Sequence, residues 1–292
     1  MPTPTPLVIE AAINGATMKE AQPYVPRATA EIVDDAVACF EAGAAIVHHH
    51  TDDGLLVGRH ATEPYRDAWT AILRRVPDAI LYPTMGGGGP HTNIRERYAH
   101  VEELADLGLL RLALVDPGSV SLGPLDADGL PMAIDLVYQN TFADARYMFD
   151  VCNARKLAAH VSIFEPGFLR IALAYHARRR MPPAKIQLYF GGDALPFGLP
   201  PTAASLDAYL AMLAGTDLPW MVGVIGGDVT ASLAALAIER GGHVRVGLED
   251  YVGPGQPRNA ELVRNVVALA ARHGRRIATR AEAAGILGLP RR

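Results

Sequence analysis

Two short groups of side chains, one near each end of the chain, could together bind a divalent metal ion. His48 and His50 close one apolar run of strand length, and Glu249 and Asp250 close another. On a strand, alternate side chains share a face, so His48 and His50 point the same way. Two imidazoles and one carboxylate suit zinc, with a coordination position left open for substrate. We therefore expect His48, His50 and Glu249 to meet as metal ligands if their strands are neighbours.

Arg245 lies inside the second apolar run, where a charge is costly unless it is paired. One interpretation is a structural ion pair with a carboxylate in the core. The other is an arginine that faces the metal site and pairs with Asp250. Asp250 could also simply cap the following loop, and the residues alone leave these alternatives open.

Apolar runs of strand length recur along the chain, and amphipathic stretches lie between most of them. The predicted strands are residues 7–13, 44–49, 79–83, 111–114, 158–163, 185–190, 220–225 and 243–247. The predicted helices are residues 29–42, 63–75, 93–107, 142–155, 168–178, 204–214, 230–239 and 259–273. The helix at 29–42 is expected to open with a threonine cap. Eight alternating units with near-continuous apolar strands predict an α/β fold, a (β/α)8 TIM barrel that forms one domain over residues 1–292.

Polar residues follow the predicted strands one after another, at the barrel face where catalytic groups of this fold lie. They supply our candidate substrate-binding residues: Asn14, Thr84, Gly86, Gly87 and Asp116. The glycine run at 86–89 could be a plain turn, or it could bring backbone N–H groups close to an anion. The turn at 226–228 could hold a phosphate at a helix start or merely cap that helix. The long loop at 117–133 is expected to be functional or a lid.

Composition excludes several classes of protein. The 292 residues carry a net charge of −4, which gives no basic footprint for nucleic acid. No unbroken apolar run is long enough to span a membrane, and the first residues lack the features of a signal peptide. Cys39 and Cys152 fall in helical patterns without metal-type neighbours. We expect buried, reduced thiols in a cytoplasmic protein.

With these residues in place, the chain resembles the β-keto acid cleavage enzymes, the family that includes 3-keto-5-aminohexanoate cleavage enzyme. The resemblance runs from about residue 9 to residue 289. Three stretches carry it: AAINGA at residues 11–16, GAAIVHHH at 43–50 and GGHVRVGLED at 241–250.

The resemblance implies a TIM-barrel homotetramer with one zinc ion per chain, held by His48, His50 and Glu249. It implies that a β-keto acid and acetyl-CoA react to give acetoacetate and a new acyl-CoA. Arg245 and Asp250 would act together as the base, and Thr84 would bind the substrate carboxylate with Gly86 and Gly87 beside it. The bound metal would supply a Lewis acid for the keto acid.

Two departures from the family pattern bear on the substrate. The arginine that commonly follows the histidine pair is missing, since residues 51–53 read TDD. The acid that grips an amino group in the aminohexanoate-cleaving member is also missing, since residues 16–18 read ATM. These departures favour a neutral, apolar or hydroxylated β-keto acid.

Two other functions remain open at this point. A metal-dependent hydrolase of the amidohydrolase type also uses a His-x-His pair in a TIM barrel. It normally carries that pair on the first strand, with further histidines on strands 5 and 6, and here only His160 fits. A non-catalytic sensor of acyl-CoA or of another small molecule could use the same scaffold, although Arg245 together with Asp250 favours chemistry.

Overall fold

Eight parallel strands form the predicted barrel in a computed structural model that describes residues 5–53, 56–87, 91–193 and 195–291. In chain order the strands are β1 (Ile9–Ala12), β2 (Ile46–His49), β3 (Ile80–Pro83), β4 (Leu112–Val115), β5 (Val120–Ser121), β6 (Val137–Tyr138), β7 (Ala158–Ile163), β8 (Ala184–Gly191), β9 (Trp220–Ile225) and β10 (His243–Val246). Of these strands in the described residues, β5 and β6 are additional to the barrel and pair only with each other. The order round the ring is β3-β2-β1-β10-β9-β8-β7-β4, and β3 and β4 lie side by side to complete it. Because β1 pairs with both β2 and β10, the histidine pair and the acidic pair come to adjacent sectors of the barrel mouth.

Helices cover the outside of the barrel, as the amphipathic pattern predicts. In the described residues they are α1 (Thr29–Ala42), α2 (Arg59–Arg75), α3 (Ile94–Asp106), α4 (Phe142–Ala154), α5 (Pro166–Ala177), α6 (Ala203–Leu213), α7 (Ala234–Glu239), α8 (Asn259–Arg272) and α9 (Arg280–Ile286). None of them combines the length and the apolar character that a membrane span requires. Cys39 and Cys152 are buried, free thiols, as predicted.

The start of α1 differs from the prediction in one detail. Thr29 is the first helical residue and not the cap, because Ala28 precedes the helix in an extended conformation. The carboxylate of Glu31 receives the N–H groups of Arg27 at 2.9 Å and Ala28 at 3.1 Å. These donors precede the helix, so Glu31 supplies the glutamate half of a capping box. Among the described residues, no side chain replaces the threonine cap as an acceptor for the first turn.

The helix predicted at residues 230–239 begins later, at Ala234. Asp228 accepts hydrogen bonds from the backbone N–H of Thr230 at 2.8 Å and from its hydroxyl at 2.6 Å. A turn held by this carboxylate precedes the helix. Asp228 therefore occupies the Thr230 donors, which disfavours a phosphate there. It does not cap α7 either, because Leu233 is the residue before that helix and makes no side-chain cap hydrogen bond.

The long loop after β4 contains a small antiparallel hairpin that the sequence pattern did not predict. Val120 of β5 pairs with Tyr138 of β6, and Ser121 pairs with Val137. Strands of two residues carry too little alternation to be recognised in a Gly- and Pro-rich stretch. The hairpin brings Leu122 and Tyr138 into the wall of a cavity at the barrel mouth, so the loop is a structural part of that cavity.

The barrel interior holds a buried charge network beneath the mouth. Lys185 Nζ lies 2.5 Å from Glu10 Oε2 and donates to Gln187 Oε1 at 3.1 Å. The other Glu10 oxygen, Oε1, accepts from Tyr82 Oη at 2.6 Å and from Arg245 Nη1 at 3.3 Å. Burial alone would raise the pKa of Glu10, but Lys185 and Arg245 lower it. Burial lowers the pKa of Lys185 to about 8.

Removing Lys185 alone should destabilise the fold strongly. Lys185→Met removes the nearer of the two cations beside the buried Glu10 carboxylate and leaves only Arg245. Breaking such a buried ion pair costs about 3–5 kcal/mol of folding stability. The double variant Glu10→Gln/Lys185→Met should recover much of that loss. Lys19→Met is the control, because Lys19 forms an exposed ion pair with Glu31, and it should change the free energy of unfolding by about 1 kcal/mol or less. Denaturant unfolding measures all three, and equal losses in Lys185→Met and Lys19→Met would contradict the prediction.

His243 should make stability fall in acid. Its buried Nδ1 accepts from Val8 N–H at 3.1 Å, and burial lowers its pKa to about 3. An unfolded histidine has a pKa near ~6.5, so between these values the unfolded chain binds one more proton than the folded chain. Stability is therefore fully present above about pH 6.5 and falls by about 1.4 kcal/mol per unit below it.

The variant His243→Asn isolates that contribution, because the amide oxygen keeps an acceptor for Val8 without titrating. Its free energy of unfolding should fall less steeply between pH 6 and 4.5 than that of the unsubstituted chain, by about 1.4 kcal/mol per unit. His60→Asn, at an exposed position of α2, should leave the slope unchanged. Identical slopes in all three proteins would show that His243 does not stay neutral in the fold.

Candidate active site

The strands bring the predicted metal ligands together at the barrel mouth. His48 Nε2 lies 3.3 Å from Glu249 Oε2, and His50 Nε2 lies 3.4 Å from Glu249 Oε1. One ligand atom from each of the three residues falls within 4.8 Å of the others. This spacing allows one ion to reach all three side chains at once.

Neighbouring residues orient the two histidines. His48 Nδ1 lies 3.2 Å from the carbonyl oxygen of Tyr82, which favours a proton on Nδ1 and leaves the Nε2 lone pair toward Glu249. The Asn14 amide holds the backbone of His50, since its Oδ1 accepts from the His50 N–H at 2.8 Å and its Nδ2 donates to the His50 carbonyl at 3.1 Å. Asn14 therefore positions His50, a candidate metal ligand. It is fully buried and does not line the cavity in which we expected it to bind substrate.

Two glycines make room for Glu249. Gly247 has a φ of +144°, and a Cβ there would lie 1.9 Å from the carbonyl oxygen of Ala12. Gly15 has a φ of +54°, and a Cβ there would lie 2.2 Å from Glu249 Cγ. Asn259 then ties the segment down, because it accepts from Leu248 N–H and donates to the Ile13 carbonyl, both at 2.8 Å. The glycines of the two motifs thus serve close packing at the ligand.

The donor set fits a divalent metal. Glu249 Oε2 is buried without a hydrogen-bond partner among the described residues, which is costly unless something positive satisfies it. Burial alone would raise the pKa of Glu249, but the neighbouring Arg245 guanidinium lowers it well below its usual range. Burial lowers the pKa of His48, so its imidazole is neutral, as a ligand must be.

Arg245 and Asp250 form a tight pair beside the ligands. Arg245 donates through Nε to Asp250 Oδ2 at 2.7 Å and through Nη2 to Asp250 Oδ1 at 2.9 Å. The same Nη2 lies 2.8 Å from Glu249 Oε1. Burial raises the pKa of Asp250 although Arg245 opposes it. Both interpretations of Arg245 therefore hold, since it pairs with the interior carboxylate Glu10 and with Asp250 at the mouth.

A cavity of about 380 Å³ opens above these groups. Its wall contains His48, His50 and Glu249, which we call the metal-binding group because the three together could hold an ion. The same wall contains Asp250, Thr84 and Asp116, together with Tyr82, His160, Ser162, Phe164 and Tyr189. Thr84 is held by its backbone, which donates to Tyr65 Oη at 3.1 Å and accepts from His100 Nε2 at 2.8 Å. The volume and the mixed lining are typical of a site for a small polar molecule.

The glycine run contributes less than expected. The N–H of Gly86 donates to the carbonyl of Arg97 at 3.2 Å, and a Cβ at Gly86 would lie 2.7 Å from that oxygen. Gly86 thus allows α3 to pack closely, and its N–H group is already used. Gly87 is exposed, and neither glycine lines the cavity. Gly88 and Gly89 lie outside the described residues.

Several side chains of the site escaped the sequence reasoning. Glu10 and Lys185 are charges inside apolar strands, the same signal that singled out Arg245. His160, which the sequence offered only as a hydrolase ligand, packs against Tyr82 with tilted rings whose centroids are 4.5 Å apart. Its Nδ1 lies 3.9 Å from Glu10 Oε2. Tyr138 reaches the cavity from the hairpin, and no local pattern marks it. His49, which lies between the two candidate ligands on β2, faces the helices instead, where Trp69 Nε1 donates to its Nε2 at 2.7 Å.

The chain is similar along nearly its whole length to known proteins. The family described as "beta-keto acid cleavage enzyme" matches residues 6–289. A 3-keto-5-aminohexanoate cleavage enzyme from Fusobacterium nucleatum is 32% identical over 291 residues, which cover 97% of this chain and 98% of that protein. A 3,5-dioxohexanoate:acetyl-CoA acetone transferase from Paraburkholderia graminis is 29% identical over 315 residues, which cover 99% and 97%.

Among solved structures, the apo structure of ObcA matches with a TM-score of 0.69 at 20% sequence identity. The match covers 91% of this chain and 66% of that chain. At this identity the likeness concerns the barrel fold alone.

Proposed function

The chain belongs to the β-keto acid cleavage enzyme family, and on that basis we propose that it transfers the acyl part of a β-keto acid to CoA. Acetyl-CoA is the second substrate and acetoacetate is the second product. The observation that carries the proposal is the meeting of His48, His50 and Glu249 with the Arg245–Asp250 pair in one cavity. The names of the relatives support it, since they state keto-acid substrates and, for one, acetyl-CoA.

We assign the metal-binding group His48, His50 and Glu249 to one zinc ion. The neutral imidazole of His48 supports this assignment, as does the Glu249 oxygen that has no hydrogen-bond partner among the described residues. When bound, zinc supplies a Lewis acid that increases the acidity of the substrate carbon between the keto and carboxylate groups.

Asp250 is the group that we assign to proton transfer. It lines the cavity, and Arg245 fixes its carboxylate from below through two hydrogen bonds. Arginine keeps its proton in proteins, so the proton from substrate goes to an oxygen of Asp250 while Arg245 orients and balances the carboxylate. The two side chains act as one titrating unit.

The proposed reaction balances in three steps. Asp250 takes the proton from the carbon between the keto and carboxylate groups, and that carbon forms a bond to the thioester carbon of acetyl-CoA while CoA thiolate leaves. The thiolate then attacks the original keto carbon, and the bond between that carbon and the former nucleophile breaks. Asp250 returns the proton, which leaves acyl-CoA and acetoacetate.

The part of the cavity wall that follows β1 favours a substrate whose acyl chain carries no amino group on that side. Ala16 lines this part of the wall, and Thr17 donates its hydroxyl to the Leu248 carbonyl at 2.8 Å. No carboxylate occupies the position after β1 where the aminohexanoate-cleaving member has one. We therefore propose a neutral, apolar or hydroxylated β-keto acid.

A product screen tests the reaction class. Zinc-loaded protein is incubated with acetyl-CoA and a panel of β-keto acids, and mass spectrometry follows acetoacetate and new acyl-CoA species. The two products should appear together, in equal amounts, with at least one substrate. Silence across a broad panel, with zinc bound, would overturn the proposal.

The two alternative functions receive less support. For an amidohydrolase-type enzyme, the fifth and sixth barrel strands should add histidine ligands. The described part of β7 and β8 offers His160, which packs against Tyr82 and does not belong to the metal-binding group. A non-catalytic sensor does not require a base such as Asp250, whose carboxylate accepts two hydrogen bonds from Arg245 beside the metal-binding group. Replacing Asp250 separates a sensor from an enzyme, as discussed below.

We also propose a homotetramer in the cytoplasm, as the resemblance implies. Large exposed apolar side chains support self-association, and many belong to one stretch that runs through the hairpin to the start of α4: Leu130, Met132, Ile134, Leu136, Val137 and Phe142. Apolar patches of this kind mark interaction surfaces. Sedimentation of the purified protein measures the assembly directly.

A further inference from the structure

Asp116 differs from the other carboxylates of the cavity wall because only one of its two oxygens accepts a hydrogen bond and no cation contacts either oxygen among the described residues. It follows β4 and is 4% exposed, yet it lines the same cavity as His48 and Glu249. Tyr138 donates its hydroxyl to Asp116 Oδ2. The other oxygen, Oδ1, is buried and has no hydrogen-bond partner among the described residues. An unsatisfied buried acceptor is costly, and a bound molecule could remove that cost.

Nearby polar groups do not fill this role. Ser162 moderates the pKa of Asp116, which burial raises, but no hydrogen bond of normal geometry reaches Oδ1. Arg97 directs its guanidinium to backbone and amide oxygens, donating to Gly86 at 3.2 Å, to Gln139 at 2.8 Å and to Asn140 Oδ1 at 3.2 Å. The Asp116 carboxylate thus keeps an acceptor position for a donor from outside the chain.

The surroundings of Asp116 combine the polar neighbours Tyr138 and Ser162 with apolar side chains. Leu114, Leu122 and Phe164 line the cavity near it. The position after β1, three strands away round the ring, presents the methyl group of Ala16. An acid is therefore present in the cavity beside the metal-binding group, but it enters from β4 and not from β1.

We propose that Asp116, positioned by Tyr138, recognises a hydrogen-bond donor, a hydroxyl or an amine, on the acyl chain of the β-keto acid. This inference rests on the proposed function and revises its substrate class, because it disfavours plain apolar chains and admits an amine that faces β4. A hydrogen bond to a charged group corresponds to a preference of about tenfold to a hundredfold. A plain alkyl chain would leave the buried oxygen without a partner and would be the poorer substrate.

Matched substrates test the inference. The zinc-loaded enzyme is given acetyl-CoA with 3-oxohexanoate, or with its 5-hydroxy or 5-amino derivative, and kcat/KM is measured for each. At least one donor-bearing acid should exceed 3-oxohexanoate by about tenfold to a hundredfold. Asp116→Leu should remove that ratio. Asp116→Asn keeps an acceptor without charge, so it should retain more of a hydroxyl preference than of an amine preference.

Asp128→Asn is the control, because Asp128 is an exposed carboxylate of the same loop and the ratio should be unchanged. Equal kcat/KM for all three acids in the unsubstituted enzyme would overturn the inference while the proposed function stands. That comparison needs no variant, so it holds even if Asp116→Leu fails to fold. No turnover of any acid, in this panel and in the broad screen, would overturn both.

Discussion

Replacing His48 with alanine is expected to remove bound zinc and turnover together. His48 is buried, its Nε2 faces Glu249 at 3.3 Å, and the Tyr82 carbonyl fixes its other ring nitrogen. Without it, His50 and Glu249 remain as two ligands, too few for a stable zinc site. Metal content should fall from one ion per chain to near zero after dialysis, and kcat/KM should fall to the background of the assay.

Elemental analysis and the product assay on the same sample measure both quantities. His60→Ala, at an exposed position of α2, is the matched control and should keep both zinc and activity. Circular dichroism distinguishes loss of metal from loss of fold. A folded His48→Ala protein that still holds one zinc ion per chain would contradict the ligand assignment.

Replacing Asp250 with asparagine is expected to keep zinc but remove most of the turnover. Asp250 is not among the metal-binding group, and the amide can still accept a hydrogen bond from Arg245. An amide cannot take the substrate proton, and a positioned general base contributes about 10²–10⁴-fold to rate. The value of kcat should therefore fall by about that factor with little change in zinc content.

The control for this variant is Asp193→Asn, an exposed carboxylate that follows β8. It should retain normal zinc content and normal turnover. Full activity in Asp250→Asn would exclude the role of Asp250 as base. Normal binding of acetyl-CoA by a protein that turns over no β-keto acid, before and after the substitution, would favour the sensor.

The metal-binding group was predictable because a strand has a period of two. His48 and His50 share a face for that reason, and a position at the end of an apolar run assigns both to the barrel mouth. The same reasoning assigned Thr84 and Asp116 to the mouth, where both line the cavity. It could not show that the Asn14 amide forms hydrogen bonds with the His50 backbone. Whether that amide binds the backbone or a substrate depends on distances that the sequence does not contain.

Pairings across the barrel interior were beyond the sequence pattern. Glu10 and Lys185 are 175 positions apart, and their contact depends on how strands β1 and β8 face each other inside the ring. Tyr138 meets Asp116 through a hairpin whose strands are two residues long, too short to show periodicity. Helix α7 begins later than predicted because the Asp228 carboxylate accepts hydrogen bonds from Thr230. Short polar side chains often stabilise a turn in this way in place of a helix.

The most direct test of the proposed reaction is the fate of a carbon label. Acetyl-CoA labelled with ¹³C in both acetyl carbons is incubated with the zinc-loaded enzyme and a β-keto acid that it accepts. Both labelled carbons should appear in the methyl and keto carbons of acetoacetate, and the new acyl-CoA should carry none. Acetoacetate without label would contradict carbon–carbon bond formation between the two substrates. Label released only as free acetate would indicate hydrolysis instead.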